Sequence, residues 1–313
     1  MPNIKYATYG AFILVLLLMA AAVPSHAITG YASSSNVLVL NQNGTPYGGV
    51  SAGPFPTSDV TGAGYSVTFM AAGSVTGASS FTGYDTIVLW EYCGVGSSAT
   101  VQNALISFLQ GGGKLIIWDS DACNSVDGTA ADYSWLSGLG ASFATNSPGQ
   151  TGSFGGSLTV KESNNFLTGI TSSDLNTLVT TTDAVGDLNV ITTKSSTWCA
   201  TLEGTNINQA SGFADAYTAP GALTGAANAI IVYDGLDTNY IGYSSGGAIL
   251  VNLLLNQLAH GWGNPTYTSD LSCSVPIPTG VPEFGLPVAF VAVMGVAAVL
   301  SLRAFMGRKQ MIP

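Results

Sequence analysis

The sequence predicts an α/β fold, and three stretches carry that prediction. Thr86 to Trp90 and Leu115 to Trp118 are short, continuous apolar runs, the pattern of strands covered on both faces by helices. Between them Val101, Ala104, Leu105, Phe108 and Leu109 recur at i, i+3, i+4, i+7 and i+8, which is one apolar helix face. Ser97 or Ser98 is placed to cap the start of this helix, and Gly111, Gly112 and Gly113 end it. Tyr84 to Cys123 therefore reads as a βαβ unit around which the chain is organised.

Composition narrows the class further. The 313 residues are 47% hydrophobic and 8% charged, with 39 glycines, so the chain can bury a core while solvating itself with Ser, Thr, Asn and Gly. Between residues 28 and 282 the basic residues are Lys114, Lys161 and Lys194, against sixteen carboxylates, a formal charge of −13. Nucleic-acid binding needs clustered Lys and Arg to displace counterions, so no nucleic-acid partner is expected.

Residues 1–27 have the layout of a secretory signal: Lys5, an apolar core from Ala11 to Val23, then Pro24, Ser25, His26 and Ala27. Cleavage after Ala27 is expected, an uncleaved anchor being the alternative. The first strand is NVLVLN from Asn36, and the second is YSVTFM, Tyr65 to Met70. Gln42 to Gly64 between them is rich in Gly and Pro and predicts at most one helical turn. Asn43-Gly44-Thr45 is a glycosylation acceptor, expected on an exposed loop.

Beyond the central unit, Thr129 to Phe143 predicts a short helix. Ser157 to Lys161, Leu188 to Thr193 and Trp198 to Leu202 read as a β-rich elaboration of the sheet edge. Ala229 to Tyr233 is the last core strand. Ser245 to His260 is the last helix, apolar nearly all round and ended by Gly261. Asn252 and Asn256 are four apart on it, either sharing a polar role or marking its solvent side.

The succession YDTIVLWEY, FLQGGGKLIIW, WLSGLGASF, IIVYDGLDTNY and ILVNLLLNQLAHGW resembles class I glutamine amidotransferase-like domains, especially the branch that includes ThuA-like proteins. The resemblance covers roughly residues 36 to 262. It implies a flavodoxin-like, three-layer parallel sheet of order 2-1-3-4-5, and with the signal at residues 1–27 it makes residues 28–262 the expected exported domain. The family's catalytic residues do not carry over. Asp119-Ser120-Asp121 stands where a G-x-C-x-G elbow would be, Cys93 is preceded by Tyr92, and His260 is the one histidine beyond residue 27. A Ser/His or Cys/His hydrolase is therefore not expected.

Cys93, Cys123, Cys199 and Cys273 all lie in the exported part, and an even count there suggests disulfides. Cys93 and Cys123 each follow the C-terminal end of strands expected to be neighbours about 4.8 Å apart, which favours that pair and leaves Cys199 with Cys273. A thiolate metal site would need spacings that the sequence lacks.

Ligands of parallel sheets sit beyond the C-terminal strand ends, where this chain carries Glu91, Asp119, Asp121, Asp234 and Asp237. Five carboxylates on one rim invite a hard cation such as calcium, with Asp119 and Asp121 most involved. Asn124, Asp127 and Gly128 add to an oxygen-rich stretch without the spacing of an EF-hand. Solvated turns and helix caps are the plainer reading of the same residues.

Residues 263–280 form a linker, and residues 281–313 a tail. Its apolar run from Leu286 to Leu302, extended by residues through Met306, supplies the roughly 20 residues that span a ~30 Å hydrocarbon core. Arg303, Arg308 and Lys309 follow, which predicts a cytoplasmic C-terminus and an external domain. Pro282-Glu283-Phe284-Gly285 before the run resembles archaeal PEF-type sorting tails in their PEFG form. That resemblance implies a cell-surface protein whose partners are the membrane and an archaeosortase-type processing enzyme. The expected function is thus a non-catalytic envelope domain for binding or structural display, the alternative being a metal-dependent surface hydrolase using the carboxylate rim.

Overall fold

The computed structural model describes residues 36–48, 53–119, 132–149, 151–241 and 245–261, together with Leu271 and Cys273. The expected signal peptide, the linker apart from Leu271 and Cys273, the PEFG motif, the 286–306 span, Asp121 and Cys123 lie outside the described residues. Among the described residues no helix is long and apolar enough to cross a membrane.

Ten strands occur in chain order: β1 (Asn36–Asn41), β2 (Ser66–Ala71), β3 (Thr86–Trp90), β4 (Lys114–Trp118), β5 (Phe143–Asn146), β6 (Ser157–Val160), β7 (Val190–Lys194), β8 (Trp198–Thr205), β9 (Ser211–Thr218) and β10 (Ile230–Asp234). The α-helices among the described residues are α1 (Thr57–Gly62), α2 (Ala99–Gln110), α3 (Ser172–Thr181) and α4 (Ser245–Ala259). The result is a mixed α/β molecule built on one large sheet.

Five strands run parallel in the order β2-β1-β3-β4-β10, with Val39 opposite Val88, Val88 opposite Ile116, and Ile116 opposite Val232. Counted among themselves they follow the order 2-1-3-4-5, which is compatible with a flavodoxin-like fold. β3 and β4 are buried along their whole length, as their unbroken apolar runs require, whereas β2 at the sheet edge is partly exposed. Beyond β10 the sheet turns antiparallel. β9 pairs with β10 and β7 and forms a long hairpin with β8, which in turn pairs with β6.

Side chains alternate across the strands and feed two cores. Val88, Trp90, Ile116, Trp118 and Val232 pack with Leu250, Leu253 and Leu254 of α4. Ile87, Leu89, Leu115, Ile117 and Ile231 pack with Val101, Leu105 and Leu109 of α2. Helix α2 stops at Gln110. Gly112 then takes a left-handed φ of 91°, and a side chain at Gly113 would meet the Phe108 ring at 2.3 Å. Ser98 occupies the position before α2 without a capping bond. The Gln102 amide instead donates to the Val95 and Gly96 carbonyls.

Several expectations need adjustment. The 42–64 passage holds the six-residue α1, longer than the single turn expected, and Thr129 to Phe143 yields a 3-10 segment over Ser134–Leu139 rather than an α-helix. α3, β5 and β9 lie in stretches from which no element is expected. Asn256 is not merely a solvent-side residue, since its amide donates to the carbonyls of Phe166 and Thr168. Cys199 and Cys273 form the expected disulfide with Cα atoms 6.3 Å apart, and Cys93 is also disulfide-bonded.

Candidate functional site

The parallel strands deliver polar residues to their C-terminal ends, and the fold divides them among distinct surroundings. Trp118 and Asp234 are paired across β4 and β10 and so point to one face, the α4 side. Asp119, one residue further, turns to the other face, where it meets Tyr133 and Tyr233. Glu91, Asp119, Asp234 and Asp237 are all buried, and the structure does not gather them into one cluster.

On the α4 face, the Gln257 amide nitrogen donates to Asp215 at 2.6 Å and to Asp234 at 2.9 Å. Its carbonyl oxygen accepts the Trp118 indole N–H at 2.8 Å. Burial pushes the Asp215 carboxyl up to about 7, and Asp234 is raised further by burial and by the neighbouring Asp215. One proton held between two carboxyls is the stable arrangement in so dry a place.

On the opposite face, burial also pushes Asp119 up to about 7. Tyr133 and Asn189 lie beside it and pull its carboxyl the other way, yet neither reaches hydrogen-bonding geometry, and both carboxylate oxygens lack a partner. The two hydroxyls nearby, Tyr133 and Tyr233, are held well above the ordinary phenol range, chiefly by burial and then by the Asp119 charge. A carboxylic acid that is neutral near pH 7 can donate a hydrogen bond or exchange a proton.

Glu91 takes a left-handed φ of 48°, unusual for a residue with a side chain, and accepts a hydrogen bond from the Thr238 hydroxyl. Thr238 in turn accepts from the Gly53 N–H at 3.0 Å, while the Gly53 carbonyl accepts from the Trp90 indole at 3.0 Å. A side chain at Gly53 would strike the Thr238 carbonyl at 2.0 Å, so glycine is what lets this strap lie across the strand ends.

The carboxylates that do converge are Asp183, Asp187 and Asp237, whose ligand oxygens lie within 4.8 Å of one another. Only Asp237 belongs to the set expected from sequence. Asp183 and Asp187 sit in DAVGD between α3 and β7, a stretch that reads as an ordinary turn. The one cue was two aspartates four residues apart beside a glycine.

His260 is far from all of these. Its carbonyl oxygen, with that of Leu258, accepts from the Lys114 ammonium group, and Lys114 opens β4 at the end opposite the carboxylates. Asn43, the expected glycan acceptor, is exposed in the loop after β1.

No family model and no curated protein matches this chain. Among solved structures, the chain is similar to the N-terminal domain of mmIFT52 at a TM-score of 0.46 and 10% identity, over 72% of this chain and 98% of that one. A putative ThuA-like protein from Bacteroides uniformis gives 0.42 and 10%, over 75% of this chain and 95% of that one. A putative GMP synthase component from Thermoplasma acidophilum gives 0.40 and 10%, over 72% and 93%.

Proposed function

We propose that this is an exported, membrane-anchored envelope protein of the archaeal PEFG-tailed kind, whose flavodoxin-like, three-layer domain works by binding or structural display rather than by catalysis. The observation that carries the reading is the position of His260, the one histidine beyond residue 27, at the end of the strands away from Glu91, Asp119 and Asp234. A Ser/His or Cys/His mechanism needs a histidine base beside its nucleophile at the strand ends, and His260 does not stand there. The burial of Glu91, Asp119, Asp234 and Asp237 stands against the hydrolase alternative, which needs such carboxylates open to substrate. The tail is read as the anchor: residues 286–306 span the membrane, and Pro282 to Gly285 present a sorting signal at its outer edge. Protease added to intact cells should remove residues 28–280 while the tail stays with the membrane. A domain protected from external protease until the cells are lysed would refute the orientation.

A further inference from the structure

We infer that Asp183, Asp187 and Asp237 bind a hard divalent cation, calcium being the ion their chemistry fits, and that this ion clasps separate segments of the chain. The ligand oxygens of the three carboxylates lie within 4.8 Å of one another, close enough for all to reach an ion at the 2.3–2.6 Å typical of calcium–oxygen bonds. The residues come from separate places: Asp183 and Asp187 from the turn after α3, and Asp237 from the loop after β10.

A second observation points to a ligand independently of the clustering. Asp183 is only 8% exposed, and its Oδ1 is closed off from solvent with no hydrogen-bond partner. A buried carboxylate oxygen left without a donor is costly, and coordination is one of the few ways to satisfy it. The other two carboxylates are oriented by their own contacts. Asp187 accepts from the Thr151 hydroxyl and, at 2.8 Å, from the Gly152 N–H, while Asp237 accepts from the Asn239 N–H at 3.0 Å. These bonds fix both groups and bring the 151–152 loop onto the cluster.

Among the described residues no lysine or arginine is offered to this place. Lys114 is engaged by carbonyls at the end of α4, Lys161 pairs with Glu203 at 3.3 Å, and Lys194 lies over the Phe213 ring at 4.5 Å. These are the only lysines or arginines between residues 28 and 282. Three carboxylates held this close, with no cation among them, repel one another. An external divalent ion removes that repulsion, whereas an anion would increase it. The ligand set differs from the strand-end set suggested by sequence, sharing only Asp237 with it.

Isothermal titration of the full chain in mild detergent with calcium alone tests the proposal. One ion per chain should bind, with a Kd on the order of 10⁻⁴ to 10⁻³ M as in extracellular calcium modules. Asp183→Asn should weaken binding by at least about tenfold, the loss seen even when outer partners of a metal ligand are removed. Removing a repelling charge should leave the calcium-free Asp183→Asn protein melting no lower than the wild type. Asp237→Asn provides a second test of the same loss, and Asp119→Asn should bind calcium like the wild type. A full chain that takes up no calcium saturably at millimolar concentration overturns the proposal without any variant. So does an Asp183→Asn protein that binds as tightly as the wild type, or an Asp119→Asn protein that loses the ion.

Discussion

The Trp118 indole donates to the Gln257 side-chain oxygen at 2.8 Å, and this one bond turns the Gln257 amide so that its nitrogen faces Asp215 and Asp234 together. All four residues are buried between the sheet and α4. Gln257→Leu would keep the volume roughly but leave an indole N–H and two carboxyls without their partner. Such a loss costs about 2–4 kcal/mol where buried polar groups go unsatisfied. Urea unfolding should show a drop of that size, and a variant as stable as the wild type would mean that the amide is not the bridge described.

The buried carboxyls also set the sign of the pH dependence. Asp119 and Asp215 stand at about 7 in the fold against an ordinary 3.8, and Asp234 is raised as well. Between 3.8 and about 7 the folded state keeps protons that the unfolded chain has lost. Stability from these groups is therefore fully present at low pH and is lost as pH rises through the window, by about 1.4 kcal/mol per pH unit for each proton. Exposed Asp174, lowered by its bonds to Thr171, works in the opposite direction but at the surface. The urea midpoint should be higher at pH 5 than at pH 8, and Asp119→Asn should make the difference smaller. Equal midpoints at the two values would contradict the burial argument.

The parallel half of the sheet was legible because its strands are apolar on both faces, so Thr86 to Trp90, Leu115 to Trp118 and Ala229 to Tyr233 need no partner to be recognised. β9 was not legible. Its SGFADAYT mixes small residues with Asp215, which is buried only because Gln257 and Asp234 lie across from it. α3 was hidden in SSDLNTLVTT, whose Ser and Thr content masks a complete capping box between Thr171 and Asp174. For the candidate site, the sequence could not say on which face each strand-end carboxylate lies. Trp118 is the last residue of β4, so Asp119 turns away from Asp234 by the ordinary alternation of a strand. The convergence of Asp183 and Asp187 with Asp237 is a tertiary event, brought about where the turn after α3 meets the loop after β10, with the Asp237 N–H donating to the Ala184 carbonyl at 3.1 Å.

Lys114 illustrates a charge used for packing. It is fully buried, and its ammonium group donates to the Leu258 and His260 carbonyls, which α4 leaves unsatisfied at its C-terminus. Lys114→Met would fill the space but return those carbonyls to an apolar setting. The expected loss is about 1.5–3 kcal/mol, the range for a hydrogen bond to a charged group. Amide hydrogen exchange should show faster opening of the last turn of α4 than of β3. Unchanged protection there would show that the carbonyls find another donor.

The Cys199–Cys273 bridge joins β8 to a residue 74 positions later, beyond α4. The Cys273 N–H donates to the Tyr217 hydroxyl at 3.3 Å, and that hydroxyl donates to Glu162, so the bridge fastens the chain over the β8–β9 hairpin. A cross-link acts chiefly on the unfolded chain, which loses the freedom of a long closed loop. For a loop of this length the entropic account gives about 4 kcal/mol. Cys199→Ser with Cys273→Ser should lower the urea-derived stability by roughly that amount while leaving circular dichroism at low urea unchanged, because β8 stays paired with β9 through seven residue pairs on either side of a bulge. A double variant of wild-type stability would indicate that the unfolded chain already holds these segments together.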